Sequence, residues 1–574
     1  MKKGSKLFMA GLLIILFLLT GAYGTYAVEG KSPDKPSIAA KTQIDLNMYP
    51  AIGNEELGQL RWVLKLANEP IEDFKDMNSL DQVGITASRY TLAFSVYFLA
   101  AEQYHKLPAW DGAIKPGMDR IIQKMFQRPV WEYWSRDSAG VTKFEPLMNQ
   151  PYAPFSDPIA YRNIMYSGHV SQMINLYQML YNERKWDRPG SIVLKWDEKT
   201  KFLYDNVSLQ DAMFMQFIKN PVPAIECEPN AVFPACNTHP ILGWKLYDQA
   251  HNTRYYAASM PLFVDFLKKD FVDPKTGELG AFYLVKQGWV FSANNPRYGN
   301  KMDPAIQKMV KEGVTFGSSG NEGWIMSGVH VFDPAFVEKL YPGFKKLHVK
   351  ENADGTITLQ KDVLTPYSYY GFFSILAAEM GDEKLLNGLL KTVDNHFGPV
   401  WGEGGTFHYP YKVSGGGPNL AAADDAKPAR SSAIKPPVKM SDVTPQMKTW
   451  PQHSDLSDRL FAMARALPKN GLLKMYNNPF DNAHFSEPAI TGVDLTKTPL
   501  KRAIYDRSKL ALIVSTMPAK SNATDGGFKI INLDPGKTYQ LTIDGKKTAQ
   551  LSGVKEYDVT LGSAKAHDFI LKEI

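Results

Sequence analysis

Arg89–His105 reads RYTLAFSVYFLAAEQYH, and the architecture follows from it. Wound as a helix over Thr86–His105, the stretch puts apolar and aromatic side chains on every side. Such a helix has no face for water and belongs inside a larger helical assembly. Arg162–Tyr181 behaves alike: Ile164, Met165, Val170, Met173, Ile174, Leu176, Tyr177 and Leu180 cover a wide apolar face. Working outward, Leu242–Ala250, Ala257–Lys269, Pro304–Glu312, Pro366–Met380, Glu383–Phe397 and Leu456–Ala466 are predicted helices, separated by loops rich in Pro, Gly and Asn. Helical hairpins repeated over about 400 residues suggest a toroid rather than a bundle. No fixed period points to a solenoid.

The pattern changes near the end. After about Thr491 the apolar residues alternate or come in short β-branched runs: Leu510–Ser515, Gly527–Leu533, Thr538–Ile543, Tyr557–Leu561 and Asp568–Leu571, with turns at DPGK (Asp534–Lys537) and DGKK (Asp544–Lys547). These predict a small β-sandwich over residues 491–574. Ser414–Lys439, rich in Gly, Ala and Pro, reads as a surface insertion in a helical domain spanning residues 51–490. At the other end, Lys2, Lys3 and Lys6 precede an apolar run closed by small residues at Thr25 and Ala27. Residues 1–27 therefore read as a secretory signal peptide, or else an uncleaved anchor, and 28–50 as a flexible lead-in. The expectation is an exported protein, periplasmic or extracellular, whose only membrane contact is through that segment.

Composition narrows the function. The 574 residues are 44% hydrophobic and 22% charged, as in ordinary globular proteins. A net charge of +6 with no long basic run in the body argues against nucleic acid. The 11 histidines are scattered without H-E-x-x-H, so no metal site is expected. No G-x-G-x-x-G or P-loop opens a strand–helix unit, and no nucleotide cofactor is expected. GSSGNEGW, Gly317–Trp324, reads as a loop before a helix.

Two motifs can carry chemistry. ECEPNAVFPACN, Glu226–Asn237, holds both cysteines of the chain, Cys227 and Cys236. Prolines in and around it predict a stiff loop, neither helix nor strand. Compartment favours a disulfide there, worth about 3 kcal/mol for a loop of this size; a pair of site thiols is the alternative. In NIMYSGH, Asn163–His169, Met165 and His169 sit four apart and share one helix face.

NIMYSGHVSQMINLYQMLY, followed by CEPNAVFPACN and then WKLYDQAHNTRY, resembles the linalool dehydratase-isomerase family, which has an N-I-M-Y-x-G-H helix, a C-E-P-(x)6-C loop and a W-x-Y-D helix. RYTLAFSVYFLA, GAFYL (Gly280–Leu284) and DPAFVEKLYPGFK (Asp333–Lys345) resemble further family segments. The resemblance covers Leu60–Leu473 in patches. It implies an (α/α)6 barrel, often assembled as a ring of subunits, and a cofactor-free site that dehydrates and isomerises tertiary allylic terpene alcohols. Carried onto matching positions, it implies catalytic Tyr90, His169, Cys227, Glu228 and Cys236, with Met165 and Phe233 binding substrate. The two loop cysteines then act as thiols.

One departure stands out. The family's I-D-F-(x)4-Y arrangement should fall in WVLKLANEPIEDFKD, Trp62–Asp76, where the ungapped match gives Leu66 and Glu72. Glu69, Glu72 and Asp73 are the candidate replacements, and linalool itself is in doubt as substrate. Two other classes compete with the lyase reading. One is a carbohydrate-active hydrolase or lyase using Glu403 and His408 of WGEGGTFHYPYK (Trp401–Lys412), although no paired carboxylates stand out. The other is a non-catalytic envelope binding protein with a Cys227–Cys236 disulfide.

Overall fold

The structure is a computed structural model that describes residues 44–74, 77, 88–138, 155–286, 288–291, 319–359, 367–409, 455–519, 526–562 and 564–574. The signal-like segment, the predicted helix Pro304–Glu312 and the insertion at Ser414–Lys439 lie outside these residues. The chain divides into two compact units, Met1–Tyr49 and Pro50–Ile574. Of the first, residues 44–49 are described: a 3-10 turn at Leu46–Met48, capped by the Asp45 carboxylate, which accepts from the Asn47 N–H at 3.0 Å. The second unit holds the remaining elements.

Its longer helices are α1 (Asn54–Asn68), α2 (Ser88–His105), α3 (Ile114–Met125), α4 (Ile164–Tyr181), α5 (Asn206–Lys219), α6 (Pro234–His251), α7 (Tyr255–Phe266), α8 (Ser319–His330), α9 (Pro334–His348), α10 (Tyr367–Met380), α11 (Glu383–Phe397), α12 (Asp455–Ala466) and the short α13 (Gly471–Asn477). The even-numbered ones to α12 pack in succession, α2 on α4, α4 on α6, α6 on α8, α8 on α10 and α10 on α12, and α12 returns to α2. The odd-numbered ones lie outside them: α3 on α2, α5 on α4, α7 on α6, α9 on α8, α11 on α10 and α1 on α12. Sequence explains the alternation. In α2, Ser88 to Gln103 are all buried, and in α4 Ile164 to Leu180 are. In α3 burial of the apolar residues follows a stripe, Ile114, Met118, Ile121, Ile122 and Met125, as for a helix with one face in water.

Helix ends use ordinary chemistry. Asp333 and Asp382 cap α9 and α11 by accepting the N–H groups of Phe336 and Leu385, and Asp205 caps α5 by accepting from Ser208. Three predicted boundaries shift. The Leu242–Ala250 segment is the later part of the longer α6. Ala257–Lys269 becomes α7 followed by a π-helical turn, Leu267–Phe271. GSSGNEGW is not a loop throughout, since α8 begins at Ser319.

Near the C-terminus eight strands form two antiparallel sheets. With β4 (Ala489–Thr491), β5 (Leu500–Asp506), β6 (Ala511–Thr516), β7 (Gly526–Ile531), β8 (Thr538–Ile543), β9 (Lys546–Ser552), β10 (Tyr557–Leu561) and β11 (Asp568–Glu573), the orders are β4-β7-β10 and β5-β6-β11-β8-β9; three short strands, β1 (Ala231–Val232), β2 (Phe282–Leu284) and β3 (Trp289–Phe291), form a separate sheet beside the cysteine loop. Phe528 of β7 meets Phe569 of β11 edge-on at 5.1 Å, joining the two larger sheets. Backbone bonds tie them to the chain leaving α2. Ala109 N–H donates to Ala503 O, Ala503 N–H to Lys106 O, Ile490 N–H to Ala109 O and Asp111 N–H to Ile490 O, at 2.8–3.0 Å. No described helix is long and apolar enough to cross a membrane.

Candidate active site

The site forms where α2, α4, α6 and α8 converge, and small residues let them do so. A Cβ on Gly168 of α4 would lie 2.8 Å from Pro240 Cδ of α6, and one on Gly243 would lie 2.3 Å from Ser171 Oγ. These two glycines bring α4 and α6 close enough for the rings of His169 and His239 to stand 3.9 Å apart.

The cysteine stretch is only half a loop. Ala231–Val232 is a strand, and from Pro234 the chain is the first turn of α6, with proline at the position where its missing N–H costs nothing. The expectation of neither helix nor strand is corrected accordingly. Cys227 sits before a tight turn in which its N–H donates to Ala231 O and Ala231 N–H to Glu228 O, with Asn230 left-handed at φ 70°. Cys236 sits on α6. Asn237 clasps the two parts together, accepting the Ile225 N–H at 2.7 Å and donating to Ile225 O at 2.9 Å. Arg162 pairs with Glu226 at 3.1 Å and anchors the loop to the entrance of α4, where Arg162 and Asn163 are both left-handed.

Both cysteines are free thiols, buried, and Cys236 is hydrogen-bonded to Cys227. Burial, the Cys227 neighbour and Glu228 push the Cys236 thiol well above its ordinary range, against a smaller opposing pull from Arg89. Tyr90 bridges to the other half of the site. Burial holds its phenol above the usual range despite Arg89, and Cys227, Cys236 and Glu228 all act on it. Its ring meets that of His169 edge-on at 5.8 Å. His169 is fully buried, its Nδ1 2.7 Å from Tyr97 Oη, while its Nε2 has no hydrogen-bond partner among the described residues. Burial, then His239 and Arg89, hold it well below its ordinary pKa, so the imidazole is neutral.

Five of the seven sequence candidates are thus brought together: Tyr90, His169, Cys227, Glu228 and Cys236. Met165 is buried one turn before His169. Phe233, the residue capping α6, packs on Phe282 at 5.1 Å. Leu66 is buried in α1. Of the candidate replacement acids, Glu72 is exposed, while Glu69 and Asp73 act on Lys124 of α3, which donates to Pro70 O and Asp73 O. Asp248 of the WKLYD motif caps α7, accepting from the N–H groups of Tyr255 and Tyr256. Glu403 is exposed, and His408 stacks on Trp62 at 4.1 Å.

Sequence reading misses Arg89, Phe94, Tyr97, Tyr133, His239 and Trp324. Arg89, fully buried, lies over the rings of Tyr90 at 4.6 Å and Tyr133 at 4.1 Å. Burial works to lower its pKa, but Tyr133, Tyr90, Glu228 and Asp137 together hold it above the ordinary value. Phe94 packs edge-on against Tyr97, His169, His239, Trp324 and Phe372, and Trp324 stacks on Phe372 at 4.3 Å. The signal is present in the chain: Tyr90, Phe94 and Tyr97 fall at i, i+4 and i+7 of one helix. Glu278, Glu322 and His348 bring one donor atom each within 4.8 Å of one another, all buried, the one group of described residues whose donors converge as metal ligands would.

Comparison with known proteins adds a family and a set of distant folds. The linalool dehydratase/isomerase family profile matches residues 89–299 and 299–413, which include Tyr90, His169 and both cysteines. A glycoside hydrolase of family 105 from C. acetobutylicum aligns at 10% identity, TM-score 0.40, over 72% of this chain and 98% of its own. An α-1,6-mannanase from Salegentibacter sp. HEL1_6 aligns at 11% identity, TM-score 0.36, over 72% and 99%. A β-L-arabinofuranosidase from Geobacillus stearothermophilus T6 aligns at 10% identity, TM-score 0.32, over 91% and 76%.

Proposed function

The chain belongs to the linalool dehydratase/isomerase family, and from that premise we propose that it is a hydro-lyase or isomerase of a tertiary allylic, terpenoid-like alcohol, working without a cofactor. The observation that carries this is the pair of buried free thiols beside Tyr90 and Glu228 on the family segment. We assign the helical part to an (α/α)6 barrel, supported by the succession of contacts from α2 round to α12 and back, and the C-terminal strands to a β-sandwich. We also propose export through the N-terminal segment and assembly of like subunits.

The chemistry needs an acid, a base and a dry interval between them. A thiol held above its ordinary pKa is protonated at neutral pH, so Cys236 donates a proton to the leaving hydroxyl, with Cys227 as its hydrogen-bonded partner. Water departs and an allylic cation remains. The aromatic wall of Phe94, Trp324 and Phe372 excludes bulk water and offers ring faces to the cation. Such a cation is a strong acid, so a weak base suffices, and neutral His169, with its own proton on Nδ1 and donated to Tyr97 Oη, accepts the carbon-bound proton at Nε2. That proton later returns to the thiolate and closes the cycle. Re-addition of water at the other end of the allyl system, with its proton passed back to the Cys236 thiolate, gives isomerisation instead. Tyr90, kept as a phenol, donates to the substrate hydroxyl, and Glu228 beside Arg89 sets the charge around the thiols.

The test is headspace analysis of the purified mature protein, reduced and oxygen-free, over a panel of tertiary allylic alcohols. Cys227→Ala, Cys236→Ala and His169→Ala run alongside. Alkene that vanishes in all three variants supports the assignment. No product across the panel, with zero titratable thiols in protein unfolded without reductant, would sink it in favour of a disulfide-bonded binding protein.

A further inference from the structure

We infer that His239 and Trp324 form a positioning pair that fixes the hydrogen position of the His239 imidazole facing His169 and leaves Nε2 of His169 as the one nitrogen of the two rings open to substrate. For turnover this rests on the reaction proposed above; the hydrogen position itself does not.

The argument is one of donors and acceptors. Trp324 Nε1–H lies 3.0 Å from His239 Nε2. An indole nitrogen can only donate, so His239 Nε2 must carry a lone pair. The proton of His239 therefore sits on Nδ1, which donates to Gln172 Oε1 at 2.6 Å. Gln172 cannot be turned round, because its NH2 would then face the Nδ1 proton. Its amide nitrogen instead donates to Tyr476 Oη. Every atom from Trp324 to Tyr476 thus has one role.

His169 completes the arrangement. With Tyr97 Oη on its Nδ1, three of the four ring nitrogens are engaged. The fourth, His169 Nε2, is buried with no partner among the described residues. The groups that face the two rings are Tyr90, Phe94 and Tyr97 from α2 and Trp324 from α8. Arg89 acts on His169 as a cation, and no carboxylate acts on either ring among the described residues. His239, which burial lowers to about 3, cannot accept a proton without breaking its bond to Trp324. It therefore stays neutral beside whatever charge His169 takes up during turnover. Helical spacing puts His239 three residues after Cys236, so the lock and the thiol share one rigid element.

The test is an imidazole 1H–15N correlation spectrum of the perdeuterated full chain between pH 5 and 8, assigned with His239→Asn and His169→Asn. His239 should show the Nδ1–H form and no titration. Trp324→Phe, which removes the donor from Nε2, should leave the Nδ1 proton donated to Gln172, shift the freed Nε2 resonance and raise the pH at which His239 takes up a second proton. In turnover the same variant should lower kcat tenfold or more with little change in KM, and shift the acidic limb of the pH profile. A parent His239 in the Nε2–H form, or one that titrates near 6.5, overturns the inference, as does an unchanged spectrum in Trp324→Phe. Absence of any alkene product in the parent would strike the reaction and leave the spectrum to decide the lock.

Discussion

Gly168→Ala tests the close approach of α4 and α6 on which the site depends. The added Cβ would stand 2.8 Å from Pro240 Cδ, 3.2 Å from Pro240 N and 3.3 Å from His239 Cβ. Carbon atoms rest at about 3.5–4.0 Å, so the two helices must part by roughly 0.7–1.2 Å. None of the atoms met belongs to a flexible chain end, and relief through a side-chain rotation is closed. Overpacking of this kind costs about 1–3 kcal/mol, while replacing glycine by alanine inside a helix returns about 1 kcal/mol. Gly343 in α9 supplies the control, because a Cβ there meets only Thr276 O at 4.0 Å. Gly343→Ala should therefore stabilise, and the difference between the two variants isolates the clash at about 1–3 kcal/mol. Urea unfolding of both proteins, followed by tryptophan fluorescence at one pH, measures that difference. Since Gly168 neighbours His169, the same variant should lose activity at least tenfold while folded. If Gly168→Ala stabilises as much as Gly343→Ala, the helices do not touch where the reasoning puts them.

Three further outcomes follow from other contacts. Asn237→Ala removes both bonds to Ile225 and leaves a buried N–H and C=O unpaired; at about 1–3 kcal/mol for each group, a loss of about 2–6 kcal/mol is expected. Faster alkylation of Cys227 and Cys236 should accompany it, and an unaltered labelling rate would show that the clasp does not hold the loop. Tyr97→Phe strips His169 Nδ1 of its partner, at a cost of about 1–3 kcal/mol, and denaturant unfolding that matches the parent would refute the bond. His105 and His239, both lowered by burial to about 3 from 6.5, bind fewer protons folded than unfolded between those values. Stability should therefore fall as pH drops below 6.5, by about 2–3 kcal/mol per histidine at pH 4.5. His105→Gln should flatten that slope, and equal slopes with and without His105 would contradict its burial.

The sequence is most legible where one property repeats. Glu383–Phe397 can be read to the residue because Asp382 caps it, Gly398 ends it and its apolar stripe has helical period. The strand Thr538–Ile543 is equally plain, since DPGK and DGKK mark the turns on either side of it. Lys546–Ser552 escapes notice because polar residues dominate it, and its place depends on pairing with β8. Pro234 reads as a breaker although the first turn of a helix is where proline fits, and this hides His239 on the same element as Cys236. Within the site, Tyr90, His169 and the cysteines are legible through the resemblance of their motifs to those of the family. Arg89 and Trp324 are not, since a buried arginine or tryptophan in an apolar helix is assigned a role only when its neighbours across the fold are known.

The ladder between the exit of α2 and the strands carrying Ile490 and Ala503 bears on how this molecule opens. Amides of Ala109, Asp111, Ile490 and Ala503 share carbonyl partners across that seam, so their exchange with solvent should be governed by one event. The helix ending at that seam is also the one whose other end presents Tyr90, Phe94 and Tyr97. Loosening the C-terminal strands therefore slackens the far end of the helix that carries Tyr90, and deuterium uptake at the seam should rise together with uptake along α2. A chain cut before Ala489 would keep every proposed reacting group and still lose the splint that steadies them.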